Sequence, residues 1–191
     1  MINTMIHWNY MLALENDINN VAKYIEFNED NYNCYSIELA HLLLSTASEV
    51  DVVAKALIVK IDRSCSVESN INFYRKVIKP AIPNLSKLKI LIPRYSLGFE
   101  PWSSWDNDVN PLWWKAYNDV KHERNNSFHQ ATLENTLNTF SGLLSLLLYY
   151  YKDQVEKGDM VPLTLFKPDL EGVLTKSQIN PGMTAVRYKF L

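Results

Sequence analysis

Residues 33–62 read NCYSIELAHLLLSTASEVDVVAKALIVKID. Leu39, Leu42, Leu43, Thr46, Val50, Val53, Ala54, Leu57 and Ile61 recur there in steps of three and four. At 3.6 residues per turn that spacing gathers them on one face of a long α-helix. Similar stripes lie on either side. Residues 5–27 carry Trp8, Met11, Leu12, Ile18, Val21, Ala22 and Ile25. A third helix is expected over 66–79, with Ile71, Tyr74 and Ile78 on one face and Pro80 as its stop.

Further along, Asn110-Pro111 forms a helix start, with Asn as the cap and Pro at the first helical position. That helix should run to about Arg124, with Leu112, Trp113, Ala116, Tyr117 and Val120 facing the core. Thr132 can cap the next helix and Glu134 favours the dipole of its first turn. Leu133, Leu137, Phe140, Leu144, Leu147, Leu148 and Tyr151 mark its buried stripe as far as Gly158. The expected fold is all-α, a bundle of about five main helices over 1–158, with a C-terminal extension, 159–191, packed on the same domain.

Two segments break the helical pattern. Residues 80–111 contain five prolines (80, 83, 93, 101, 111), Gly98, Trp102 and Trp105, which suits an irregular segment pinned by aromatics with a short strand at 88–92. It reads either as a functional or interfacial excursion or as a cover over the end of the bundle. From Met160 the tail alternates weakly, through Val161, Leu163 and Leu165 and later Val186, Tyr188 and Phe190, as a small hairpin across the bundle would.

Composition bounds the class. A chain of 191 residues can bury one proper core. Hydrophobic content of 47% with only 5 Gly and 8 Pro argues for a packed globule. The net charge of −2 hides a split: eight acids against Lys23 alone between Leu14 and Asp51, then six bases (Arg75, Lys76, Lys79, Lys87, Lys89, Arg94) and no acid between Ser69 and Phe99. The basic stretch gives weak support to a polyanionic partner. Cys34 and Cys65 share no short-spacing motif and suggest no disulfide framework. The first residues lack a secretory pattern, and the most apolar run, 143–151, is far short of the roughly 20 residues that span a bilayer. The expected setting is soluble and cytoplasmic, with no membrane partner. No Gly-rich phosphate loop, Gly-x-Ser-x-Gly elbow, His-Glu-x-x-His or Cys-x-x-Cys pair occurs.

Chemistry concentrates at residues 124–129, Arg-Asn-Asn-Ser-Phe-His. A cation, amides and a group titrating near neutral pH can grip a phosphate and move a proton beside it. On a continuous helix, positions five apart point about 140° away from each other. The expectation is therefore an elbow, with Arg124 ending one helix and His129 just before the next, where free N–H groups would add to a phosphate cradle. Tyr117, Lys121 and Arg124 form a ridge leading into it. The plainer reading pairs Arg124 with Glu123 or Asp119 at the surface.

These residues resemble the HEPN superfamily, all-helical domains of prokaryotic toxin, defence and RNA-processing systems. Its signature is Arg-x4–6-His with a polar residue, often Asn, after the Arg; here that is Arg124, Asn125 and His129. The run from Tyr117 to Arg124 and the Leu-rich helix that follows are also similar. The resemblance covers about 110–152, extends loosely to the helices at 33–79, and leaves 80–109 and the tail unmatched. It implies a metal-independent, cofactor-free endoribonuclease of a defence or toxin–antitoxin system, commonly a homodimer joining two motifs in one cleft. An antitoxin or nucleotidyltransferase-type protein would be its partner. His129 would deprotonate or orient the ribose 2′-OH for in-line attack, leaving a 2′,3′-cyclic phosphate. Arg124 would neutralise the phosphoryl oxygens and Asn125 would position phosphate or imidazole, with Lys121, His122 and Asn126 as substrate contacts.

Three alternatives stand beside this one. Glu38-x-x-His41 and Asp119-x-x-His122 are two half-motifs of a dinuclear metal site, with Glu15 and Glu134 as guessed further acids. A non-catalytic HEPN-like module would bind RNA, a nucleotide or a partner without cutting, with Trp102 and Trp105 suiting an interaction surface. The polar elbow could also merely cap two helices. Trp113 and Trp114 are expected to divide between core and dimer contact.

Overall fold

The long helix of the sequence is α2, Ile37–Ile61, in a computed structural model that describes residues 5–176 and 184–190. Ser36 caps it, its hydroxyl accepting from Leu39 N at 3.1 Å. The expected stripe is buried, except that the last turn uses Ile58 (0% exposed) and leaves Ile61 at the surface. Against α2 lies α6, Leu133–Tyr150, buried along both faces from Thr136 to Leu148. Thr136 Oγ1 ties the two, donating within reach of Thr132 O (2.8 Å) and Leu39 O (3.3 Å).

Around this pair pack α1 (Ile6–Val21), α3 (Ile71–Ala81) and α4 (Leu112–His122). Their boundaries depart from the sequence reading for local reasons. α1 stops at Val21, and Ile25 packs from the following loop. α3 starts at Ile71 because Asn70 caps it, its Oδ1 accepting from Phe73 N at 2.8 Å. Pro80 does not stop it: in the last turn the missing N–H costs one bond, and Ile82 N still reaches Ile78 O at 2.8 Å.

At α4, Pro111 occupies the cap position, while the Asn110 side chain accepts from Arg75 Nη1 at 2.7 Å instead of capping. The final predicted helix is two: Tyr151 (φ −100°, ψ 27°) interrupts it, and α7, Lys152–Lys157, follows to a left-handed Gly158.

The all-α expectation gives way to a mainly α fold with small antiparallel sheets. The 80–111 segment contributes β1 (Ile90–Ile92) and β2 (Leu97–Phe99), paired Ile90 to Phe99 and Ile92 to Leu97. β3, Lys167–Pro168, arrives from the tail and pairs on the other edge of β1. Ile90 and Ile92 are fully buried. A tail hairpin forms from β4 (Gly172–Lys176) and β5 (Thr184–Tyr188), but residues 161–165 take no part in it. Their place is fixed by Glu15 on α1, 3% exposed, whose carboxylate accepts from Thr164 N (2.9 Å), Leu165 N (2.7 Å) and Phe166 N (3.1 Å).

The tryptophans are core, not surface. Trp102, Trp105, Trp113 and Trp114 are at most 8% exposed and stack in sequence, Trp102 against Trp105 (4.4 Å) and Trp113 (5.1 Å), Trp113 against Trp114 (5.9 Å). The 80–111 segment therefore covers the bundle and supplies its core. Neither Trp102 nor Trp105 offers an interaction surface, and Trp113 and Trp114 do not divide between core and an outer face.

Candidate functional site

α4 leaves its axis at Glu123 (φ −130°, ψ 42°). Glu123 O then receives Asn126 N and Ser127 N, both at 2.9 Å, opening a single turn, α5, Arg124–Ser127. A 3-10 turn over Phe128–Gln130 continues it to Ala131. Ser127 (7% exposed) and Ala131 (0%) anchor the elbow inward. The Phe128 ring meets Tyr35 edge-on at 5.9 Å. The Asn135 side chain, from the first turn of α6, donates to Gln130 O at 2.9 Å.

The elbow exists, but its corner falls at Glu123, before the Arg124–His129 pair and not between its members. Arg124 starts the short helical run instead of ending α4, and His129 lies five residues along the same run. Between the two, Ser127 (φ −116°, ψ 8°) breaks the α-helical geometry before the 3-10 turn that carries His129.

The phosphate cradle expected at the start of α6 is also absent. Leu133 N donates to Cys34 O (2.8 Å), Glu134 N to Tyr32 O (3.2 Å), Asn135 N to the capping Thr132 Oγ1 (3.2 Å) and Thr136 N to Thr132 O (3.0 Å). The first-turn donors are all spent, two of them on the strand-like segment that enters α2.

What the elbow does present is a set of solvent-facing polar groups. Lys121, His122, Arg124, Asn125, Asn126 and His129 are all exposed. The side chains of His122, Arg124, Asn125, Asn126 and His129 have no hydrogen-bonding or ionic partner among the described residues. Arg124 pairs with neither Glu123 nor Asp119; Asp119 instead faces Lys115 at 3.6 Å. Lys121 is held, its Nζ 3.2 Å from Tyr117 Oη and 5.3 Å from that ring's centroid.

Behind Lys121 runs a polar network that the sequence reading did not assemble. Tyr74 Oη donates to Asp51 Oδ1 at 2.5 Å, and Lys55 Nζ reaches Asp51 Oδ2 at 2.5 Å. Burial, then the hydrogen bond and charge of Asp51, push the Tyr74 hydroxyl far above its ordinary range, so it stays a donor. Tyr74 and Trp114 meet edge-on at 6.5 Å, and Trp114 meets Tyr117 at 5.3 Å, linking α3 to the base of Lys121. The i, i+4 spacing of Asp51 and Lys55 was visible in sequence, but Tyr74 was counted only as a core ring.

The metal alternative finds no geometry. Glu38 and His41 face each other at 3.9 Å, both exposed, while Asp119 is engaged with Lys115 and Glu15 with backbone amides. Among the described residues no three His, Cys, Asp or Glu side chains are placed to hold an ion. The basic stretch is partly neutralised: Lys79 lies 2.9 Å and Arg75 3.9 Å from Asp108. No helix among the described residues is long and apolar enough to cross a membrane. Comparison with protein-family models, with curated proteins and with solved structures returns no match.

Proposed function

We propose that the elbow at 121–130 is an RNA site of HEPN type, and that the chain is a metal-independent endoribonuclease of a defence or toxin–antitoxin system. The reading is supported above all by Arg124, which stands exposed and unneutralised although two acids lie within five residues of it. An unpaired guanidinium flanked by Asn125, Asn126, His122 and His129 suits a ribose-phosphate link. His129 takes or orients the 2′-hydroxyl proton. Arg124 stabilises the charge that grows on the phosphoryl oxygens, Asn125 holds the phosphate, and Lys121, His122 and Asn126 contact the neighbouring backbone. By the same resemblance, a complete cleft joins the motifs of two copies of the chain.

A second reading has its own support in the spent first-turn donors of α6, which leave no backbone cradle for a phosphate: the elbow then binds RNA, a nucleotide or a protein partner without cutting.

The test is incubation of the purified chain with total RNA in the presence of a chelator, with end-group analysis for 2′,3′-cyclic phosphate. Arg124→Ala and His129→Ala are each expected to lower the rate by on the order of 10²–10³, with unaltered circular dichroism. Binding with no cyclic product favours the second reading; equal activity in both variants removes the first.

A further inference from the structure

Where the chain enters α2, Tyr35 stands beside the elbow with 53% of its surface open to solvent. A singly exposed aromatic needs no explanation, but this one is pinned in place. Its backbone bridges Thr132; on one side Cys34 O accepts from Leu133 N at 2.8 Å, and on the other Ser36 caps α2. Its ring meets that of Phe128 almost at a right angle, with 5.9 Å between centroids. Phe128 is itself partly buried against the core. The Tyr35 hydroxyl has no partner among the described residues.

Phe128 joins this ring to the polar groups of the elbow. It directly precedes His129, and its N–H closes the turn on Arg124 O. A neutral aromatic surface, fixed before any ligand arrives, thus adjoins an unpaired guanidinium. The two halves of a nucleotide call for those two surfaces, the phosphate for the guanidinium and the base for the ring. A second copy of the chain is the competing occupant. Stable interfaces bury about 1,200–2,000 Å² and are depleted of charge at their centre. Here the exposed apolar groups are Tyr35 and Ile37, set next to the free charges of the elbow.

We infer that Tyr35, backed by Phe128, is a stacking platform for a base of single-stranded RNA whose phosphate lies at Arg124. The inference rests on the elbow being an RNA site and names what that site takes. The strand is unpaired, because recognition by stacking needs a base splayed out of a helix.

The test is fluorescence anisotropy with a labelled single-stranded 2′-fluoro RNA, which lacks the 2′-hydroxyl and cannot be cleaved, and with its abasic counterpart of equal length. Tyr35→Ala is expected to weaken binding of the base-bearing strand on the order of tenfold. Tyr35→Phe should retain that binding, and neither variant should alter binding of the abasic strand. Arg124→Ala should lower the slope of log affinity against log salt by about 1, whereas Tyr35→Ala leaves it unchanged. If the unmodified chain binds neither strand, the elbow reading and the platform fall together. If it binds and Tyr35→Ala binds as tightly, or loses the abasic strand to the same degree, the platform alone falls. Conversion of a dimer to a monomer by Tyr35→Ala at unaltered RNA affinity, seen by light scattering, assigns the ring to a second copy and also overturns the platform.

Discussion

Glu15 shows how far one side chain can differ from its apparent role. In sequence it is one of eight acids in an acidic stretch; in the structure it is buried and accepts three backbone N–H groups plus Thr164 Oγ1 at 3.2 Å. A buried amide left without a partner costs about 1–3 kcal/mol. Glu15→Ala, which orphans three of them, is therefore expected to destabilise the chain by about 3 kcal/mol or more. Glu15→Gln, which keeps one acceptor oxygen, should cost about 1–2 kcal/mol. Urea denaturation measures both, and an unchanged midpoint for Glu15→Ala would contradict the anchoring role. Arg124 and His129 were legible as a chemical pair because residue type and spacing are local. The corner at Glu123, which puts both residues after α4, was not. Tyr35, half-exposed against Phe128, is brought to the elbow by its backbone bridge to Thr132, which no short-range pattern announces.

Among the elements, α6 and the Trp-rich segment depend on one close approach. A methyl group on Gly142 would sit 3.0 Å from Trp113 Cζ2, and Gly142 O already accepts from Trp102 Nε1 at 3.1 Å. Trp113 is fixed by its own bond to Pro101 O (2.9 Å) and by two neighbouring indoles, so it has little room to yield. Overpacking of about 1–3 kcal/mol then outweighs the helix-propensity gain of about 1 kcal/mol. Gly142→Ala should lower the thermal midpoint; a higher one would show that the indole gives way.

The link between α3 and the loop before α4 makes a pH prediction. Asp108 sits in the left-handed region (φ 56°), and the hydrogen bond and charge of Lys79, then the charge of Arg75, hold its carboxyl below the usual range. A depressed folded value means stability present above the unfolded value, about 3.9, and lost as pH falls through the lower folded one. Asp108→Asn tolerates the same backbone and removes only the charge. It should flatten the acid limb of the stability profile, and an unaltered limb would argue against the Lys79 contact.

For the molecule as a whole, the buried hydroxyls set the alkaline limit. Tyr32, Tyr74, Tyr149, Tyr151 and Tyr188 are all raised, chiefly by burial, Tyr188 to about 12. Unfolded tyrosines release protons near pH 10. Stability is therefore complete below that pH and falls as pH rises toward the folded values, because only the unfolded chain can then ionise. Tyrosinate absorbance should rise in a cooperative step coincident with loss of helix signal. Gradual ionisation of all eleven tyrosines with the helices intact would show that these hydroxyls are not protected.

Helical content, the α2 and α6 stripes and the presence of a break between α4 and α6 were set by the sequence alone, since periodicity and capping act over one or two turns. Only the tertiary structure decided that Pro/Trp-rich residues 80–111 form a strand pair and an indole core, that the tail supplies a third strand, and that Glu15 and two first-turn amides of α6 are spent on distant backbone. Apart from the β1–β2 turn and the neighbouring indoles, those outcomes rest on partners 40 to 151 residues apart, and hydrogen-bond satisfaction across such distances is settled by packing, which no local pattern records.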